Sequence, residues 1–239
     1  MSGSLARVLG IGDRELVAFS GAGGKSTVML RLGEELARAG KRVLVTTTTK
    51  MGRGQLDGLP GLCKSDDLHA VMTAVTSNSF VALVTGGDDH KATGPLPTVV
   101  DVLYRSVPVD YLLVEADGAH GRSLKAPGLH EPVIPTEATM VVVLMGVDAV
   151  GGRIADVAHR PERAAALTGL GVSDRLEVEH CVAVLTHPEG GLKGVPPAAR
   201  VVVALTKAGT PTADRAAAQI MLRLSSWERI SRVVVLAGG

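Results

Sequence analysis

A glycine-rich segment followed by a lysine and two hydroxyl residues is the feature of this sequence that points most directly to chemistry. It follows an apolar run and precedes a stretch with helical periodicity, and it reads Gly21-Ala22-Gly23-Gly24-Lys25-Ser26-Thr27. Glycines let the backbone turn tightly so that several N–H groups point at one anion, and a following helix adds the positive end of its dipole. We predict a phosphate-binding loop here, with Lys25 on the outer phosphates and Ser26 on a magnesium ion.

This loop is shorter than the usual pattern, Gly-x-x-x-x-Gly-Lys-Ser/Thr. That pattern needs a glycine five residues before Gly24, and Phe19 stands there. The alternative interpretation is a glycine-rich turn between a strand and a helix, with an incidental lysine. We favour phosphate binding because strand, glycines, lysine, hydroxyl residues and helix occur in the required order.

Two further groups of polar residues follow apolar runs. The run Val43-Leu44-Val45 leads into four threonines and then Lys50. We predict Thr47 or Thr48 as a ligand of magnesium or phosphate, and Lys50 as a group that could neutralise the charge of the phosphates. The alternative for the threonines is ordinary β-branched strand residues. The run Tyr111-Leu112-Leu113-Val114 ends in Glu115 and Asp117, side chains that would share one face of an extended strand.

Carboxylates at a strand end hold magnesium and orient the attacking nucleophile in nucleotide hydrolases. We therefore assign Glu115 to the metal or its waters and Asp117 to the nucleophile or to loop movement, the alternative being a cap for the next turn. Downstream, Arg122 and Lys125 are predicted to clamp an anionic substrate or the transition state. The pair His130-Glu131 is a secondary candidate, because such a pair is more often structural.

A last polar group, Thr206-Lys207, follows a later apolar run and is predicted to contact the nucleotide. Many GTP-binding proteins carry Asn-Lys-x-Asp at this place, where the aspartate accepts hydrogen bonds from guanine. Here Thr206 and Gly209 replace the asparagine and the aspartate. Selectivity for guanine is thus unsupported, and we favour ATP over GTP.

Short apolar runs alternate with helical patterns along the whole chain. Nearly continuous Val/Leu runs indicate strands buried on both faces, as in a parallel sheet covered by helices. We predict one open, doubly wound α/β domain over residues 1–239, with ligands at the carboxyl ends of the strands. The predicted strands are Leu16-Phe19, Arg42-Thr47, Phe80-Val84, Tyr111-Glu115, Met140-Met145, Arg200-Leu205 and Val233-Leu236, and the predicted helices are Ser26-Ala39, Asp66-Thr76, Thr98-Ser106, Arg160-Leu167 and Thr212-Ser226.

Composition limits the choice of partner. The formal net charge is +1 and only 2% of the residues are aromatic, which argues against a nucleic-acid binder. No apolar run approaches the roughly 20 residues that cross a bilayer, so we expect no membrane association. Cys63 and Cys181 lack the close spacing of a metal or redox pair, and the chain has no leader pattern, so we expect a cytoplasmic protein.

Six blocks spread over most of the chain form a combination more specific than the loop alone: Phe19-Thr27, Thr46-Met51, Glu115-Gly118, Leu124-Pro127, His130-Pro135 and His187-Gly190. Together they resemble the YqeC family of accessory proteins of selenium-dependent hydroxylases. The resemblance implies a P-loop NTPase-like fold and a role in the maturation of molybdenum hydroxylases, with such a hydroxylase or its cofactor-maturation proteins as partners. Members often carry Asn-Lys where this chain has Thr206-Lys207.

Three hypotheses remain open at this point. The first is a magnesium-dependent nucleoside triphosphatase, slow in turnover, that drives the maturation of a hydroxylase. The second is a phosphotransferase acting on a small molecule held by Arg122, Lys125 and the segment around Glu131. The third is a non-catalytic chaperone whose shape is set by bound nucleotide, which requires different affinities for di- and triphosphate.

Overall fold

The computed structural model describes residues 4–56 and 58–237 as alternating strands and helices. Each of the seven predicted strands is present, within two or three residues of its predicted ends. The strands are β1 (Glu15–Gly21), β2 (Val43–Thr47), β3 (Lys50–Gly52), β4 (Gly61–Cys63), β5 (Phe80–Leu83), β6 (Gly86–Gly87), β7 (Lys91–Thr93), β8 (Tyr111–Glu115), β9 (Leu124–Lys125), β10 (Met140–Gly146), β11 (Ala158–His159), β12 (Arg200–Ala208) and β13 (Arg232–Ala237).

The five predicted helices are also present, together with three that the sequence patterns did not indicate: Leu5–Leu9, Ile154–Val157 and Val178–Thr186. Two short 3-10 helices cover Arg53–Gln55 and Val147–Ala149. The α-helices are α1 (Leu5–Leu9), α2 (Lys25–Arg38), α3 (Leu68–Ser77), α4 (Pro97–Ser106), α5 (Ile154–Val157), α6 (Pro161–Thr168), α7 (Val178–Thr186) and α8 (Pro211–Leu224).

The central sheet has eight strands in the order β13-β12-β10-β1-β8-β2-β5-β4, and every pair is parallel. Strand β1 thus lies in the interior between β10 and β8. Alternate residues of β1 enter two apolar layers: Leu16 and Ala18 belong to the layer that contains residues of α3, α4, α7 and α8, whereas Val17 and Phe19 belong to the layer of α1 and α2. Helices therefore cover both faces, and the predicted doubly wound α/β architecture is confirmed.

Two small sheets lie beside the carboxyl ends of the central strands. Strands β3, β7 and β6 form an antiparallel sheet in the order β3-β7-β6, and β9 pairs with β11 in parallel. Neither was predicted, because strands of two or three residues carry too little periodicity to stand out. In the part of the chain that the structure describes, no helix combines the length and the apolarity needed to span a membrane.

Candidate functional site

The glycine-rich segment forms a tight loop between β1 and α2. Gly21, Gly23 and Gly24 have φ angles of +88°, +94° and +101°, a region that side chains disfavour. Gly24 precedes the first turn of α2, where no side chain caps the helix, and the first helical hydrogen bond runs from the Val28 N–H to the Gly24 carbonyl. The N–H groups of the residues between them have no carbonyl partner within the helix, which makes this turn suited to an anion.

Neighbouring strands hold the loop in this shape. The Ala22 N–H donates to the Leu144 carbonyl at 2.9 Å, and the Gly23 N–H donates to the Arg122 carbonyl at 3.1 Å. The Thr206 hydroxyl, on β12, donates to the Gly23 carbonyl at 2.6 Å. Three separate segments therefore hold the loop, and the N–H groups of Ala22 and Gly23 are paired with protein carbonyls, so the donors left for an anion are those at the start of α2.

Lys25 and Asp117 form the buried centre of the site. The Lys25 Nζ lies 3.1 Å from the Asp117 Oδ1 and donates to the Gly21 carbonyl at 2.8 Å. Lys25 is 4% exposed and Asp117 is fully buried. The other carboxylate oxygen, Oδ2, accepts from the Gly21 N–H at 3.1 Å and lies 3.2 Å from the Lys125 Nζ. Asp117 therefore connects the loop to two lysines.

A chain of charges continues from Lys125 towards the far side of the site. Its Nζ lies 3.0 Å from the Glu131 Oε2, which also accepts from Arg160 at 2.9 Å. Burial alone would raise the pKa of Glu131, but the hydrogen bonds from Lys125 and Arg160 outweigh it and lower the pKa to about 2. Lys125 also donates to the Gly118 carbonyl. Its ammonium is thus fully committed to protein groups.

Ser26 and Glu115 meet at the start of α2. The Ser26 hydroxyl donates to the Glu115 Oε2. Burial raises the pKa of Glu115, opposed by the charge of Lys25 and by this hydrogen bond. A hydroxyl and a carboxylate are oxygen ligands of the kind magnesium prefers, and this ion commonly takes its remaining ligands from phosphates and water. The pair therefore fits a magnesium ion, although no cluster of three or more His, Cys, Asp or Glu side chains arranged for a metal exists among residues 4–56 and 58–237.

A cavity of about 950 Å³ opens in front of the loop. Its walls come from the loop and α2, from the sheet of β3 and β7, and from the segment between β8 and β9. The described residues that line it are Gly23, Gly24, Lys25, Ser26, Thr49, Lys50, Met51, Gly52, Gly54, Gln55, Lys91, Thr93, Glu115, Gly118, Ala119, His120, Gly121, Arg122 and Glu131.

Comparison with known proteins agrees with the resemblance seen in the sequence. The family model described as YqeC protein matches residues 17–162, which include the loop, the Lys25–Asp117 centre and Arg160. The chain belongs to the YqeC family. A relative from Escherichia coli (strain K12), named "Uncharacterized protein YqeC", is 34% identical over 190 residues, which make up 78% of this chain and 73% of the relative.

Some of the residues predicted for the site of this YqeC-family chain line the cavity, whereas others are buried behind its lining. Arg122 is exposed and lines the cavity, with its guanidinium also donating to the Asp156 carbonyl. Lys125 and Asp117 lie beneath the lining, so neither matches the predicted direct contact with substrate or water. His130 is exposed and does not join Glu131 in the cavity wall.

The predicted threonine ligands are occupied by backbone contacts. The Thr47 hydroxyl donates to the Glu115 carbonyl at 2.9 Å, and the Thr48 hydroxyl donates to the Val133 carbonyl at 2.6 Å. Neither residue lines the cavity, whereas Thr49 does. Thr206 supports the loop as described, and Lys207 contacts Ser123 at 2.7 Å and Asp148 at 3.1 Å.

Several polar residues at or beside the cavity were not predicted from the sequence. Lys91 lies on the short strand β7, and His120 lines the cavity and stacks on His159 with ring centroids 4.8 Å apart. Burial, helped by the charges of Lys125 and Arg160, lowers the pKa of His159 to about 4. His120 and His159 come from distant segments, so no local spacing could have paired them.

Proposed function

We propose that this protein binds a nucleoside triphosphate with Mg²⁺ and hydrolyses it slowly. The observation that supports this most is the meeting of Lys25, Ser26 and Glu115 at the uncapped first turn of α2. Such a turn favours phosphate oxygens, and a lysine beside it neutralises the charge of the outer phosphates.

In this proposal each residue has a separate task. Ser26 and Glu115 would hold the magnesium ion, which bridges phosphate oxygens and offsets their charge. Lys25 exchanges its contact with the Gly21 carbonyl for a phosphate oxygen, while Asp117 keeps its contacts with Lys125 and with the Gly21 N–H. Asp117 is fully buried; its Oδ2 accepts from the Gly21 N–H, and its Oδ1 accepts no hydrogen bond but lies 3.1 Å from the Lys25 Nζ. Because the carboxylate is buried beside Lys25, we assign it the task of positioning Lys25 and the loop and not of orienting water.

The base and the biological role are further parts of the proposal. We favour ATP, because Thr206 contacts the loop and Gly209 offers no carboxylate for guanine. From the YqeC resemblance we propose that turnover assists the maturation of selenium-dependent molybdenum hydroxylases. Addition of a purified molybdenum hydroxylase lacking its cofactor should then accelerate hydrolysis, and an unchanged rate would contradict this role.

Calorimetric titration with Mg-ATP and Mg-GTP tests nucleotide binding. Substituting Lys25→Ala should weaken triphosphate binding by roughly 1.5–3 kcal/mol, because a charge-assisted hydrogen bond is lost. The variant Lys41→Ala, outside the cavity, is the matched control. Circular dichroism at the titration temperature checks that Lys25→Ala is folded, since Asp117 loses one of its partners. Equal affinity of parent and Lys25→Ala for both triphosphates would contradict the proposed site.

Phosphoryl transfer to a small molecule is a second candidate. It is favoured by the cavity, which continues past the loop to Lys50 and Lys91. A transferase should show negligible hydrolysis of Mg-ATP in the absence of an acceptor. Measuring phosphate release from the protein alone distinguishes the two functions.

A further inference from the structure

The small antiparallel sheet presents one polar face to the cavity. Directly opposite residues of an antiparallel pair lie on the same face, and neighbours along a strand alternate between faces. The register pairs Lys50 with Thr93 and Gly52 with Lys91, so these four residues share a face, and all four line the cavity. Met51, which also borders the cavity, and its partner Ala92 alternate with these residues and are buried in the apolar layer of α2.

This polar face lies close to the loop, on one side of it. Strand β2 lies beside β8, with Thr47 opposite Glu115, and the chain reaches Lys50 only three residues later. Lys91 lines the same cavity as Glu115, the carboxylate that accepts from Ser26. Thr206, on β12, lies on the other side of β1. The polar face and β12 therefore lie on opposite sides of the loop, with the polar face on the side of β8 and β2.

The charges that line the cavity as a whole are positive in sum. Among the lining residues, the cations are Lys25, Lys50, Lys91 and Arg122, and the acids are Glu115 and Glu131. The carboxylate of Glu131 is already neutralised by Lys125 and Arg160. Lys25 is engaged by Asp117, so Lys50 and Lys91, both exposed, are the cations of this wall most open to a ligand.

We propose that Lys50 and Lys91 bind an anionic small molecule, one that carries a phosphate or carboxylate group, beside the terminal phosphate of the nucleotide. The proposal deepens the proposed function and rests on it for the position of the nucleotide. A volume of about 950 Å³ is near the top of the range of roughly 300–1,000 Å³ typical of small-molecule pockets, which favours two ligands side by side. The described lining contains no Phe, Tyr or Trp, so charge and hydrogen bonds must recognise the second ligand.

The test uses the full chain saturated with the magnesium complex of a non-hydrolysable ATP analogue. Orthophosphate and, in a second series, succinate, a dicarboxylate that chelates Mg²⁺ only weakly, are titrated into this complex by calorimetry. We expect binding of at least one anion, weakened at least tenfold in the double variant Lys50→Ala/Lys91→Ala. Preference for orthophosphate or for succinate identifies the anionic group. Lys64→Ala, an exposed lysine outside the cavity, is the matched control and should bind as the parent does.

The outcomes separate this inference from the proposed function. If the parent binds nucleotide but its complex takes up neither anion, or if the double variant takes them up equally well, the second site is contradicted while the nucleotide site stands. A double variant that loses nucleotide affinity as strongly as Lys25→Ala would also overturn it, because both lysines would then serve the nucleotide. If no nucleotide binds, the proposed function fails, whereas anion uptake that depends on Lys50 and Lys91 but not on Lys25 would still support the second site.

Discussion

Asp117 is a buried carboxylate whose partners come from three segments of the chain. Both of its oxygens face lysines, Lys25 at 3.1 Å and Lys125 at 3.2 Å, and one accepts from the Gly21 N–H. Removing one partner of a buried ion pair typically costs about 3–5 kcal/mol, because the remaining charge stays buried without compensation. We therefore expect Asp117→Asn to lower the free energy of unfolding by about that amount, measured by urea denaturation at neutral pH without ligand. A loss below about 1 kcal/mol would contradict the positioning role.

Glu115 should behave in the opposite way, although it is only two residues away. Burial raises its pKa, so its negative charge is costly in the free protein, and Glu115→Gln removes that cost while keeping the shape. We expect little loss of stability but a higher magnesium concentration for half-maximal nucleotide binding, since a metal-ligating oxygen is lost. Titrating Mg²⁺ at a fixed ATP concentration into the parent and Glu115→Gln, with nucleotide binding as the readout, checks this. An unchanged magnesium requirement in Glu115→Gln would remove Glu115 from the metal site.

At the scale of residues, the sequence predicted groups that are close along the chain or at facing strand ends. Ser26 and Glu115 were placed together because parallel strands end at the same edge of a sheet, and the structure joins them. Lys125 was expected to contact substrate, but its partners Asp117 and Glu131 bury it, and partners of this kind are set by three-dimensional packing. Lys91 was missed because a strand of three residues gives no pattern.

Among the elements, the loop between β1 and α2 allows a comparison of two glycines. A Cβ at Gly23 would lie 2.5 Å from the Gly146 nitrogen, whereas a Cβ at Gly24 meets nothing within 4 Å. Both have positive φ, a conformation that costs a side chain about 1–2 kcal/mol. Gly24→Ala should therefore lower the free energy of unfolding by about that amount, and Gly23→Ala by more. Chemical denaturation of both variants measures the difference, and equal losses would show that contact with β10 is unimportant.

The elements predicted correctly are strands with continuous apolar runs and helices with apolar residues on one face. Strands β8 and β10 are entirely buried and rich in Val and Leu, and helix α2 carries Met29, Leu32 and Leu36 on its buried side. Strand β4 is a short edge strand that contains a glycine, and α1 has five residues, so neither gives a long enough pattern. Tertiary pairing, not local propensity, creates such elements.

At the scale of the whole molecule, two apolar layers fix the strand ends that build the site. Because β1 lies inside the sheet, its loop can be supported from β10 and β12 on one side and from β8 on the other. The order of the strands could not be read from the sequence, since every central strand has the same apolar character. It is this order that places Thr206 and Lys50 on opposite sides of the loop.

The stability of the whole chain should depend on pH through His159, which joins β11 to the buried charges of the site. Its pKa is about 4 in the folded protein, lowered by burial and by Lys125 and Arg160, against 6.5 for an unperturbed histidine. Between these values the unfolded chain binds more protons, so the free energy of unfolding rises with pH from about 4 to 6.5 and this contribution is complete above 6.5. Below about pH 4 the stability depends instead on Glu131, whose pKa is lowered to about 2, so that its contribution is lost as the pH falls towards that value.

We expect His159→Gln to flatten the increase of the melting temperature between pH 5 and 6.5, because Gln takes up no proton in either state. The variant His69→Gln, at an exposed position on α3, should keep the slope of the parent and controls for the loss of a histidine. Melting curves followed by circular dichroism at closely spaced pH values measure the slope. If His159→Gln and the parent show the same slope in this range, His159 is free to take up a proton in the folded protein, and the positive surroundings made by Lys125 and Arg160 do not oppose its charge.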